Sequence, residues 1–264
     1  MIEIKNGEQI DRMAAACEVA GLLLKELRSF IKPGLSTKDI DRKVEQFIID
    51  HGQVPAFKGY GGFPASACVS VNEEIIHGIP SKRKILKEGD LVKVDLGTIC
   101  EGYYSDCART FPVGNVTEEN ARLIKVAEES FFEGIKYARK GLRLGDVSHA
   151  IQSYVEAAGF SVIRDYVGHG IGRDMHEDPP VPNYGKPDHG PRLVPGMCLA
   201  IEPMIAAGKY QVKVLSNDWT VVTVDGSNTA HYENTVVITD GEPRILTCFD
   251  RDVNAQEVSK EDCI

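Results

Sequence analysis

No run of apolar residues in this 264-residue chain reaches the ~18 needed to cross a bilayer, which excludes a membrane-spanning helix. The N-terminus, MIEIKNGEQIDRM, is charged from its third residue and lacks the apolar core of a secretory signal. An excess of positive charge is also missing. With 30 Lys and Arg against 39 Asp and Glu the formal net charge is −9, which argues against a dedicated nucleic-acid site. Paired cysteine motifs are absent too: the seven cysteines (Cys17, Cys68, Cys100, Cys107, Cys198, Cys248 and Cys263) are odd in number and form no CxxC. Such usage fits free thiols in a reducing compartment rather than a disulfide framework. Nor is there the short period of a solenoid. The expectation is a soluble, cytoplasmic protein, long enough to bury one large core.

What is present centres on Leu91 to Phe111, LVKVDLGTICEGYYSDCARTF. Two runs of alternating, β-branched and aromatic residues flank Ile99-Cys100-Glu101-Gly102, the pattern of a hairpin. A turn centred between Cys100 and Glu101 pairs residues whose numbers sum to 201, setting Asp95 directly opposite Asp106. Opposed side chains lie about 5 Å apart at Cβ, where like charges repel. A bound divalent cation would offset that repulsion. The alternative is a turn displaced by one residue, with one aspartate facing solvent.

Before the hairpin, the spacing predicts helices over Ile10 to Phe30 and, from a Ser36/Thr37 cap, over Lys38 to Asp50. A Gly-rich loop, Lys58 to Pro64, and a short strand from Cys68 to Val71 follow. After it, Thr117 caps a helix from Glu118 to Arg139, and another runs from Asp146 to Ala158. The second half overlays the first at an offset of 107: Gly34-Leu35 on Gly141-Leu142, Asp39-Ile40 on Asp146-Val147, Gly52 on Gly159, Gly89 on Gly196, and Asp95 on Glu202. The expectation is one α+β domain over residues 1–264, built by internal duplication with halves at roughly 10–111 and 117–239. Asp95 and Glu202 then stand on equivalent strands, Leu91 to Ile99 and Met197 to Ala206. A second strand of each half carries Asp106 in one and Glu233 in the other. Four carboxylates gathered near a pseudo-twofold axis require cations.

His169 stands between glycines in Gly168-His169-Gly170, where other chain segments can approach closely. Alone it reads as a core histidine, but beside four acids it is the natural nitrogen ligand. Four carboxylates and one imidazole suit Mn²⁺, Fe²⁺, Co²⁺ or Zn²⁺ rather than a closed structural zinc site. Two ions sharing carboxylates is the arrangement so many acids imply. His77 and His176 lie in glycine- and proline-rich, loop-like settings where catalytic groups tend to sit. His51, His149, His189 and His231 read as cap, helix-surface or strand residues without a role.

The segments NEEIIHGIP, VDLGT with YYSDCARTF, GHGIG, MHEDPPVPNYG, GMCLAIEPM and HYENTVVIT resemble those of the type I methionine aminopeptidases in their short bacterial form. The resemblance runs from about Ile4 to Cys248 and implies the pita-bread fold, a curved antiparallel sheet covered by helices. It implies two divalent ions: one held by Asp106, His169, Glu202 and Glu233, the other by Asp95, Asp106 and Glu233. It further implies a shared water as nucleophile, Glu202 as general base, the substrate amine on the Asp95 side, His176 stabilising the tetrahedral oxyanion and His77 bonding the scissile amide region. The methionine pocket would be built from Tyr60, Phe63, Cys68, His77, Met175 and Trp219, although each of these could equally be core packing. Two positions depart from the family pattern: Met175, where relatives often carry Phe, and Phe57, where they often carry Cys.

The activity so implied is removal of the initiator methionine from nascent chains before small second residues, by a monomer visiting the ribosome transiently. Lys82, Arg83 and Lys84, or Lys209 and Lys213, are the candidate basic contacts, and a solvated loop is the plainer reading of the first group. Two alternatives stand beside it. One is a pita-bread peptidase cutting before proline, which usually carries an additional N-terminal domain. The other is a binding protein of the same fold without catalysis, which would have lost metal ligands.

Overall fold

The computed structural model describes residues 1–247; Cys248 and Cys263 lie outside the described residues. Helix α1 (Gly7–Phe30) begins at a reciprocal cap: Asn6 Oδ1 accepts from Gln9 N at 3.0 Å, and Gln9 Oε1 accepts from Asn6 N at 2.9 Å. Helix α2 (Thr37–Asp50) repeats the device with Ser36 and Asp39. Helix α3 (Glu118–Ile135) is capped by Thr117, whose hydroxyl accepts from Asn120 N at 3.2 Å. It stops short of the expected Arg139, where the chain turns through Tyr137 to Leu142. Helix α4 (Leu144–Ala157) starts where Asp146 accepts from Arg143 N at 2.8 Å. α2 and α4 therefore sit 107 residues apart at both ends. The glycines aligned at that offset share the left-handed backbone that favours glycine, with φ of +92° and +88° at Gly34 and Gly141, and +88° at both Gly89 and Gly196.

The main sheet contains β1 (Ala67–Val71), β2 (Leu91–Leu96), β3 (Cys107–Pro112), β4 (Gly168–Gly170), β5 (Glu177–Val181), β6 (Cys198–Ile201) and β7 (Glu233–Val237). Their order is β5-β4-β6-β7-β3-β2-β1, antiparallel throughout, with Arg244–Ile245 also paired to β7. Outward from the β3/β7 junction the two sides match, β2 and β1 facing β6 and β4. Two three-stranded sheets match as well: Val54–Pro55, Thr98–Cys100 and Tyr103–Tyr104 against Ser161–Val162, Met204–Ala206 and Thr229–His231. α1 and α2 cover the first side through Leu23, Leu27, Ile40, Val44 and Ile48. α3 and α4 cover the second through Leu123, Phe131, Val147 and Ile151. Burying each such side chain contributes about 1.5–3 kcal/mol. The sheet is thereby packed behind the site on both sides. No helix among the described residues is long and apolar enough to cross a membrane.

Two strand expectations need correction. The hairpin closes through Glu101-Gly102, with φ of +48° and +77°, and not between Cys100 and Glu101. Positive φ at both central positions is the two-residue turn that matches strand twist, and Gly102 adopts it without strain. Cys100 thus faces Tyr103, and Asp95 faces Ala108 rather than Asp106. The shift moves the partner by two residues, so face parity survives: Asp106 remains on the Asp95 side as a diagonal neighbour. The strand expected over Met197 to Ala206 is broken at Glu202-Pro203, and its second piece joins the smaller sheet. Pro203 has no N–H to give the main sheet, which ends β6 at Ile201.

Candidate metal centre

Five neighbouring strands bring the predicted ligands to one place. Asp95 on β2 faces Ala108 on β3, and Ala108 in turn faces Glu233 on β7. The methyl group of Ala108 leaves the space between the two carboxylates open. Asp106 lies two residues before Ala108 and so on the same face. Continuing the β6–β7 register past Ile201↔Asn234 sets Glu202 opposite Glu233. His169 on β4 faces Ala200, two residues before Glu202. Its flanking glycines are required by close approach: a Cβ at Gly168 would stand 2.3 Å from Ala200 O, and one at Gly170 2.2 Å from Asp178 O.

The side chains converge. His169 Nε2 is 3.5 Å from Asp106 Oδ2 and 3.8 Å from Glu202 Oε1. His169 Nδ1 is 2.9 Å from Gly170 O, which places the proton on Nδ1 and turns the Nε2 lone pair toward the acids. Asp106 is clamped through its backbone, its N–H donating to Thr235 Oγ1 at 3.1 Å while the Thr235 hydroxyl donates to Asp106 O at 2.8 Å.

All four acids are driven toward the neutral form. Burial, followed by the neighbouring Asp106 charge, raises Asp95 and Glu233 well above the usual carboxylate range. Burial pushes Asp106 up to about 7 and Glu202 up to about 8, the latter partly opposed by His169. Asp95 Oδ1 and Asp106 Oδ1 are buried with no hydrogen-bond partner among the described residues. A cluster of this kind fits divalent cations, which would supply the missing partners and the opposite charge. Single ligating atoms of Asp106, His169 and Glu233 lie within 4.8 Å of one another, and so do those of Asp95, His231 and Glu233.

His231 had no role in the sequence reading. It is a strand residue, as expected, but its buried Nε2 is 3.7 Å from both Glu202 Oε2 and Glu233 Oε2. Burial holds its imidazole neutral, pushing its pKa down to about 3. The signal in sequence was its position two residues before Glu233, which puts both side chains on one face of an extended chain. His51 caps α2, and His149 and His189 are exposed, as expected.

A cavity of about 270 Å³ opens beside the acids. Its lining includes all six residues expected for the methionine pocket, Tyr60, Phe63, Cys68, His77, Met175 and Trp219, together with Phe57, Gly61 and Ile76. Cys68 faces Asp95 across the β1–β2 pair, and Phe63 meets the edge of Trp219 with ring centres 5.1 Å apart. His77 adopts the left-handed region at φ +58°, costly for a residue with a side chain. The loop is held there by Gly78, whose N–H donates to Ser70 Oγ at 3.0 Å and whose carbonyl accepts from Val69 N at 2.9 Å. His176 stands at the exposed rim, its ring 4.2 Å from that of His169, and its Nδ1 lies 2.8 Å from Tyr60 Oη. Burial pushes His176 down to about 4 and His77 below its ordinary value, so both rings are neutral.

The sequence of residues 11–240 matches the model of metallopeptidase family M24. The chain is 59% identical over 247 residues to a methionine aminopeptidase of Clostridium acetobutylicum, covering 94% of this chain and 99% of that one. The chain belongs to metallopeptidase family M24, among the methionine aminopeptidases. Methionine aminopeptidase 1 of Bacillus subtilis is 51% identical over 94% of this chain and 99% of its own length. In structure, the methionine aminopeptidase of Thermotoga maritima superposes with a TM-score of 0.92 at 48% identity, covering 94% of this chain and 99% of that one. Prolidase from Pyrococcus furiosus shares the pita-bread fold at a TM-score of 0.75 and 25% identity, but this chain spans only 66% of it. The family uses divalent metal ions.

Proposed function

We propose that this methionine aminopeptidase removes the initiator methionine from nascent chains, with two divalent ions held by Asp95, Asp106, His169, Glu202 and Glu233. The single observation that carries the reading is the meeting of the acid cluster with a small pocket whose walls include Phe63, Cys68, Met175 and Trp219. A flexible thioether fits such apolar, sulfur-containing walls. The matched strand order and the shared spacing of α2 and α4 support reading the domain as a duplicated unit.

When bound, the ions polarise the scissile carbonyl and make water acidic enough to react near neutral pH. The other steps belong to the chain. Glu202 takes the proton of the attacking water and delivers it to the departing amine. The free α-amine of the substrate would bind on the Asp95 side of the centre, which restricts cleavage to the first residue. Tyr60, whose own pKa is raised by burial, keeps its proton and donates it to His176 Nδ1. The ring of His176 is thereby fixed with its proton on Nε2, where it is available to the developing oxyanion. His77 bonds the scissile amide from the facing wall. A small second residue is expected from the likeness to the methionine aminopeptidases. Lys82, Arg83, Lys209 and Lys213 are exposed, whereas Lys84 is paired with Glu74, so the first four are the candidate ribosome contacts.

The test is release of methionine from Met-Ala-Ser by metal-stripped protein, with Mn²⁺, Fe²⁺, Co²⁺ and Zn²⁺ restored one at a time. Restored release that is lost in Asp106→Asn supports the reading. Folded protein that stays inactive with every metal, or that cleaves X-Pro peptides instead, overturns it.

A further inference from the structure

The correspondence between the two sides of the sheet extends into the acid cluster, and it is not the one expected from the sequence. Asp95 faces Ala108, and Glu202 is brought opposite Glu233, so the counterpart of Glu233 is Ala108. The counterpart of Asp106, two residues before Ala108, is then His231, two residues before Glu233. The hydrogen bonds repeat the exchange. Asp106 N donates to Thr235 Oγ1 at 3.1 Å, and that hydroxyl donates to Asp106 O at 2.8 Å. His231 N donates to Thr110 Oγ1 at 2.8 Å, and that hydroxyl donates to His231 O at 2.9 Å. Thr110 and Thr235 lie two residues after Ala108 and Glu233 respectively. The same backbone clamp that aims Asp106 therefore aims His231.

We propose that His231 Nε2 is a sixth ligand of the metal centre, completing with Asp95 and Glu233 the site of the second ion. This rests on the two-ion reading above. Both ring nitrogens of His231 are buried without a hydrogen-bond partner among the described residues. Its Nε2 is 3.7 Å from one oxygen of Glu202 and from one of Glu233, beyond the 2.7–3.2 Å of a hydrogen bond. That separation is close to the roughly 3–3.5 Å between two atoms each about 2.0–2.2 Å from a common cation. His169 Nε2 stands off Asp106 and Glu202 by 3.5 and 3.8 Å, a matching spacing. Each ion then has one imidazole: His169 with Asp106 and Glu233, His231 with Asp95 and Glu233. A nitrogen in the second site moves its preference from all-oxygen metals toward Fe²⁺, Co²⁺ and Zn²⁺.

The experiment titrates metal-stripped full-length protein with Mn²⁺ by calorimetry and records pulsed EPR for ¹⁴N couplings to the bound ion. Wild type is expected to take two ions, with nitrogen coupled at both sites. His231→Gln should keep one ion near wild-type affinity, weaken the other by roughly 10- to 100-fold, and lose one nitrogen coupling. The same experiment on His169→Gln should leave the nitrogen of His231. That variant still decides the matter if position 231 does not tolerate change. Two ions bound with unchanged affinity and unchanged nitrogen couplings in His231→Gln would overturn the proposal. So would the absence of any nitrogen coupling in His169→Gln. Wild type that takes up fewer than two ions would overturn the two-ion reading itself, a result distinguishable from either.

Discussion

Neutralising Glu202 should stabilise the metal-free protein at alkaline pH, although it removes a proposed ligand. The carboxyl has its folded pKa raised from 4.5 to about 8 by burial among other acids. A carboxyl raised on folding binds more protons in the native state than in the unfolded chain. Its contribution is therefore fully present below pH 4.5 and is lost as pH rises toward 8, opposite to the behaviour of a salt-bridged acid. Each tenfold change in the proton equilibrium is about 1.4 kcal/mol. The interval thus corresponds to roughly 5 kcal/mol lost at high pH, and relaxation of the cluster reduces this to about half. Glu202→Gln, which cannot ionise, should then exceed wild type by about 2–4 kcal/mol at pH 8.5 in EDTA. That is a rise in Tm of roughly 4–16 °C for a chain of this size. The assay is thermal and urea unfolding at pH 5, 7 and 8.5, with chelator and with saturating Mn²⁺. The advantage should shrink toward pH 5. With metal the order should reverse, because a bound ion stabilises by mass action, about 4 kcal/mol at a thousand times Kd. A Gln variant no more stable than wild type at pH 8.5 without metal refutes the reasoning.

Tyr60→Phe should lower kcat about fivefold with little change in KM, the loss of one bond of about 1 kcal/mol, while His176→Ala should cost on the order of 10²–10³ in turnover. Equal losses in the two variants would mean that Tyr60 does more than orient the ring. Gly78→Ala would set a Cβ 2.4 Å from Val69 O and 2.8 Å from Ser70 Cα. It should destabilise by about 1–3 kcal/mol and reduce kcat by displacing His77, and unchanged unfolding would contradict the geometry. Trp219→Ala should raise KM for Met-Ala-Ser about tenfold at nearly constant kcat, since the wall it forms contacts the substrate before and during reaction alike. A kcat defect instead would place Trp219 in the chemistry.

The helices were legible because their signals are local. Ser36 and Thr117 cap where the sequence places caps. Of the face read as Ile40, Val44 and Phe47, the first two are fully buried and Phe47 partly, with Ile48 buried beside them. The cap at Asn6, four residues before the first apolar position of the expected helix, is seen only in the structure. Strand register was less legible. The sequence placed the hairpin turn one residue early, since the conformation of Glu101 is decided by twist matching and not by its identity. Glu202 was recognised as an acid near a strand, but the end of β6 at Pro203 became visible only once the neighbouring strand was known.

The sequence alone put four acids and a glycine-flanked histidine forward as a divalent-metal site, because that donor chemistry points to cations whatever the path between the residues. Face parity was determined too, because a two-residue period survives an error of two in register. Tertiary structure decided what depends on which distant strands meet. It set Ala108 between Asp95 and Glu233, gathered Tyr60 against His176 across 116 residues of chain, and turned His231 from a plain strand residue toward two carboxylates. Periodicity tells a side chain which way to point, but only the packed sheet determines what it points at.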